Sequence, residues 1–117
     1  NEANKNTVTV ANVAQGECVT ANNTINGGYP VDKEMANLKN GIETVRQAYN
    51  AMVEIYPPDE FTATHQSTLL SISNVHTDLI SLYTAFEQNQ IETVADDIKA
   101  LESDYTALKT NYNLLLK

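Results

Sequence analysis

IETVADDIKALESDYTALKTNYNLLL, residues 91–116, contains no glycine or proline and carries one uninterrupted apolar repeat. Ile91, Val94, Ile98, Leu101, Tyr105, Leu108, Tyr112 and Leu115 recur at alternating spacings of three and four, which sets one stripe along an α-helix. Toward the N-terminus, Glu87-Gln88-Asn89-Gln90 breaks the phase. Asn89 reads as the N-cap of the last helix, with Glu92 three residues on as its capping-box partner.

The preceding segment repeats the pattern with Phe61, His65, Leu69, Ile72, His76, Leu79, Tyr83 and Phe86. Pro57-Pro58 opens it, because proline suits a first helical turn and Asp59 and Glu60 complement the positive end of the helix dipole. The same prolines stop the segment before, whose stripe is Met35, Leu38, Ile42, Val45, Tyr49, Met52 and Tyr56, widened by Ala48 and Ile55. Asp32, just after Pro30, is its natural N-cap. The spacing predicts helices over about 32–56, 58–87 and 90–116, each about 37 Å long. Connections this short force neighbours antiparallel, and three-four spacing favours shallow crossings. The expected fold is all-α, an antiparallel up-down bundle of three long helices filling residues 32–117.

Residues 1–31 give two readings. Thr7-Val8-Thr9-Val10 alternates like a strand, and β-branched residues dominate as far as Val19. Val10, Ala14, Cys18, Ala21 and Ile25 nevertheless form a thin helical stripe that stops at Gly27-Gly28. The segment is either a weak fourth helix or an extended arm.

Charge narrows the partners. The 117 residues hold 7 Lys plus Arg against 15 Asp plus Glu, a formal charge of −8, and Arg46 is the single arginine. Such a surface repels nucleic acid and anionic lipid. No apolar run reaches the ~18–20 residues that span a bilayer. One cysteine, Cys18, provides neither a disulfide framework nor a thiolate cluster. The chain opens at an asparagine, which points to trimming. Abundant Asn, Thr and Tyr with scarce Lys and Arg point to an extracytoplasmic setting, periplasm or cell surface, with lipid anchoring of a precursor as one route.

Both histidines fall on the stripe of the second long helix. They are eleven residues apart, about 16 Å along the axis, and so cannot share one metal. Neither follows a Glu-x-x element, so the di-iron bundle pattern is missing. Folding the helices back about their turns places His65 near Tyr49 and Tyr112, and His76 near Asn40, Gly41 and Leu101. Mutual hydrogen bonding in the core is the ordinary use of such groups. Ligand contact at His65, Tyr49 and Tyr112, or at His76 beside a gap left by Gly41, is the alternative. Asp97 and Asp104, seven apart on one helix, read as a solvated acidic face. No nucleophile elbow, phosphate loop or Cys-x-x-Cys is present. No catalytic residue, metal or cofactor is assigned.

From Pro57 to Leu116, the Pro-Pro helix start, His65, Leu69-Leu70, Tyr83 and a second amphipathic helix after a short polar turn resemble small helical domains of bacterial and archaeal cell-envelope lipoproteins. The resemblance covers about half the chain and implies an envelope location and a non-catalytic role. Gln15-Gly16-Glu17-Cys18 departs from it, lacking the small and apolar residues that precede a lipidated cysteine. The expected function is therefore a non-catalytic, extracytoplasmic bundle for protein interaction or scaffolding, with an unknown protein partner and room for homo-oligomers. A ligand, haem or metal sensor built on the histidine layers, and a cytoplasmic coiled-coil adaptor, are the alternatives.

Overall fold

A computed structural model describes residues 2–116, with side chains described through residue 111. Four helices follow one another: α1 (Glu2–Ile25), α2 (Val31–Val53), α3 (Thr62–Glu87) and α4 (Ile91–Leu116), with a 3-10 turn at Asp59–Phe61 before α3. Sequential helices pack antiparallel, and α1 also packs along α4, so the four close into a ring; α1 and α3 meet only lightly across the diagonal. The body measures 47 × 21 × 18 Å. All-α antiparallel architecture is as expected, but residues 1–31 are neither arm nor weak helix. They supply a full 24-residue helix that completes a four-helix bundle.

α1 is helical despite its β-branched composition because its inward face is small and its hydroxyls are satisfied locally. Val10, Ala14 and Ala21 are fully buried and Cys18 nearly so. The hydroxyls of Thr7 and Thr24 donate to the carbonyls of Ala3 and Thr20, each at 2.7 Å, so two threonines enter the core without stranded polar groups. The helix stops at Gly27, whose φ of +84° only glycine adopts cheaply. The Gly28 N–H donates to the Asn23 carbonyl (2.8 Å) and the Gly27 N–H to that of Thr24 (3.1 Å), a Schellman closure.

Adding α1 rotates the buried faces of its neighbours. In α2 the buried set is Glu34, Leu38, Gly41, Val45, Ala48 and Met52, while Met35, Ile42 and Tyr49 are half-buried at its edge. Gly41 faces α1, since a Cβ there would stand 3.0 Å from Val13 Cγ1 and 3.7 Å from Glu17 Oε2. It makes room for a helix, not for His76. In α3 the buried line is His65, Thr68, Ile72, Val75, Leu79, Leu82 and Phe86. Leu69, His76 and Tyr83, expected on the seam, lie one position off it and are half-buried.

Helix boundaries also differ from expectation: α2 starts at Val31 with Pro30 at its N-cap, so Asp32 lies in the first turn and does not cap it, and α3 proper begins at Thr62 after the 3-10 turn, not at Pro58. α2 stops at Val53 and not near Tyr56, because the Pro57 ring clashes with the carbonyl four residues back, that of Val53, and restricts residue 56 as well. Asn89 ends α3; it does not start α4. Its φ is +57°, the Gln90 N–H donates to the Ala85 carbonyl (2.8 Å), and the Asn89 N–H donates to that of Phe86 (3.1 Å). Gln90 then accepts the first bonds of α4, from the N–H groups of Thr93 and Val94.

Two glycine variants separate propensity from packing. Gly16 is exposed in mid-helix with nothing within 4 Å of an added Cβ, so Gly16→Ala gains about 1 kcal/mol and raises the thermal midpoint by roughly 3–6 °C. Gly41→Leu has the same propensity advantage but pushes α1 off α2, so its midpoint in a calorimetric scan falls below that of the parent chain.

Candidate functional site

Proline chemistry builds an apolar cleft at one end of the bundle. Because α2 cannot pass Val53, Ile55 to Pro58 cross the end of the bundle and meet the first turn of α1. Together with Phe61 and His65 they line a cleft of about 310 Å³, with Glu2 and Ala3 on its far side. Tyr56 stands 96 % exposed beside it, off the core seam where the repeat had put it. The walls are apolar; Glu2, Asp59 and Glu60 are exposed carboxylates at or near the rim.

His65 sits at the floor, buried, with Nε2 at 3.0 Å from the Met52 carbonyl oxygen. A carbonyl only accepts, so Nε2 bears the hydrogen of this bond. The partner is thus the loosened carbonyl end of α2, not the tyrosine layer of the sequence reading. Tyr49 lies elsewhere, and Tyr112 falls outside the residues whose side chains are described. His65 ties the start of α3 to the end of α2 across the proline break.

Tyr49 instead joins His76. With Arg46 and Ser73 they line a shallow groove of about 240 Å³ on the outer α2–α3 face. Counting back from the turn had set His76 opposite Asn40 and Gly41. Side chains lean toward the N-terminus of their own helix, however, so in an antiparallel pair the tips of Tyr49 and His76 approach each other past the level of their Cα atoms. His76 Nε2 has no hydrogen-bond partner there. Arg46 is committed to Glu43, which it grips through both Nε and a terminal nitrogen, and those bonds hold the Glu43 carboxyl well below its ordinary range. A groove whose guanidinium is already neutralised has little pull on an anion.

The sequence-predicted ligand residues therefore do not form one site. His65 belongs to the end cleft, Tyr49 and His76 to the side groove, and Gly41 to the α1–α2 contact. Reasoning from the repeat overlooked Ile55, Pro57, Phe61, Glu2 and Ala3 as a lining. The available signal was the proline pair, read as a break but not as a builder of surface. Among the described residues no three His, Cys, Asp or Glu side chains converge to hold a metal ion, and no helix is long and apolar enough to cross a membrane. No protein-family model, curated protein or solved structure matches this chain.

The two histidines should respond differently to removal of their nitrogens. His65→Phe keeps a ring but removes one bond to the Met52 carbonyl, which retains the Ile55 N–H at 3.2 Å, so urea unfolding should show a loss of about 0.5–1.5 kcal/mol. His76→Phe, at a half-buried position with no bond to lose at Nε2, stays within about 0.5 kcal/mol of the parent.

Proposed function

We propose that this chain is a non-catalytic helical-bundle domain that works outside the cytoplasm and holds a protein partner at the α2–α3 end. The observation that carries this reading is the apolar cleft beside Tyr56, a ring almost wholly in solvent on a rigid proline-bounded turn. Aromatic side chains held on stiff backbone, next to a concave apolar surface, supply contact area at little entropic cost. The exposed carboxylates around the cleft favour a segment whose apolar anchor is flanked by Lys or Arg. Resemblance to cell-envelope lipoprotein domains and the Asn- and Thr-rich composition support the location. A small apolar ligand in the same cleft is the second reading, favoured by the cavity volume, which falls at the lower end of the range for small-molecule sites.

Selection of random peptides against the intact domain tests the proposal. Enriched peptides should carry an apolar anchor with basic flanks, shift the amide resonances of Tyr56 and Phe61, and lose binding to Phe61→Ser and Tyr56→Ser. Peptides that bind these variants equally well would sink it. An export signal encoded upstream of Asn1 is expected; a cytosolic start immediately before it would overturn the location.

A further inference from the structure

The interior holds carboxyl groups that have no cation. Glu34 of α2 is fully buried and Glu17 of α1 is 8 % exposed, and they share the α1–α2 interface with Thr20. The Thr20 hydroxyl lies 3.2 Å from Glu17 Oε1 and 3.1 Å from Glu34 Oε1, and 3.2 Å from the Gly16 carbonyl. With the Glu17 carbonyl at 3.5 Å as well, it has one hydrogen for four acceptors. Glu34 Oε2 has no donor at all. Across the bundle, Asp78 of α3 meets Asp104 of α4, with Asp97 near by, and Asp78 Oδ2 and Asp97 Oδ2 are likewise buried without a donor.

The groups facing these carboxyls from every packed helix are acidic or neutral. Glu34 faces Glu17 and Thr20 of α1. Asp78 faces Asp104 and Asp97 of α4, and its charge also reaches the Cys18 thiol of α1. Lys33 and Lys99 are near in sequence but exposed, and among the described residues the one ion pair is Arg46–Glu43. Two carboxylates in contact, with no cation and too few donors, are tolerable in a low-dielectric interior only if one carries a proton.

We propose that the bundle is locked by acid: one proton shared by Glu17 and Glu34 and one shared by Asp78 and Asp104 clamp α1 to α2 and α3 to α4, and their loss loosens both interfaces. Burial, reinforced by the hydrogen bond with Glu17, pushes Glu34 up to about 9; burial and Asp104 push Asp78 up to about 8. In the unfolded chain both would ionise near 4. Between those limits the folded state binds more protons than the unfolded one, so unfolding free energy falls as pH rises. The stabilisation is complete below about pH 4 and is lost progressively up to pH 8–9.

Thermal midpoints measured from pH 4 to pH 9 should fall by roughly 10 °C or more. General repulsion on an acidic surface gives a slope of the same sign, so variants decide. Glu34→Gln and Asp78→Asn keep shape and bring a permanent donor; the double variant should be more stable than the parent at pH 8 and have a much flatter profile. Glu60→Gln with Glu87→Gln removes the same charge from exposed positions and should keep the parental slope. A double core variant whose slope equals the parent's overturns the proposal. The unaltered chain provides a check that needs no variant: carboxyl carbon resonances of Glu34 and Asp78 should titrate above pH 7, and titration of both below pH 5.5 would overturn it equally.

Discussion

Everything in this bundle depends on how closely α1 approaches α2 and α4. Its inward face offers Ala14, Cys18 and Ala21, which stand no further out than a thiol, and α2 answers with Gly41 and Ala48. Cys18 Sγ comes within 4.0 Å of the Ile98 carbonyl oxygen, a contact between a side chain and the backbone of a neighbouring helix that bulkier residues would prevent. Once α1 is seated, α2 and α4 each have two partners. Their buried stripes must widen and turn, and the core moves from the side of a three-helix wedge to the centre of a square.

That displacement explains what could and could not be read from residues alone. On the α4 stripe the large apolar positions Val94, Ile98, Leu101 and Leu108 are buried as read, Tyr105 is half-buried and Ile91 is exposed at the helix start, while Tyr112 and Leu115 lie outside the described side chains. On α3, His65, Ile72, Leu79 and Phe86 lie on the buried line as read, but Leu69, His76 and Tyr83 are one position off it; Thr68, which is fully buried with its hydroxyl bonded to the Thr64 carbonyl at 2.8 Å, looks polar to any hydrophobic count. Glu34 and Gly41 misled for the same reason, since neither a carboxylate nor a missing side chain registers as core. α1 was legible in its stripe and in its Gly27-Gly28 stop. Its threonines, which intrinsic propensity scores against a helix, close onto their own backbone, and no periodicity shows that. At the cleft, the proline pair gave the break, but the partner of His65 is a main-chain carbonyl that only three-dimensional closure supplies.

Electrostatics follows from composition in an equally direct way. The one arginine is held by exposed Glu43, and Lys5, Lys33, Lys39, Lys99 and Lys109 are all exposed, so no described cation stands among the carboxyls inside to neutralise them. Protons take that role, as the low polarity of the interior raises the affinity of each buried carboxyl for them. Asp97 and Asp104, which the sequence presents as part of a wet acidic face, are half-buried against α3, and burial raises the Asp97 carboxyl too. The formal charge of −8 counts these groups as ionised, so the folded protein shows its surroundings a smaller negative charge than its composition states.

Cys18 lies on the same level of the bundle, and desolvation together with the charges of Glu102, Glu17 and Asp78 drives its thiol up to about 12. At neutral pH almost none of it is thiolate, and the protein around it excludes reagents. The single thiol is therefore silent while α1 stays seated and becomes nucleophilic only in molecules whose first helix has lifted. Nature has placed in this chain a stopwatch for its own breathing: the rate at which an aromatic disulfide colours the solution counts openings of α1, one by one, with no label added and no residue changed.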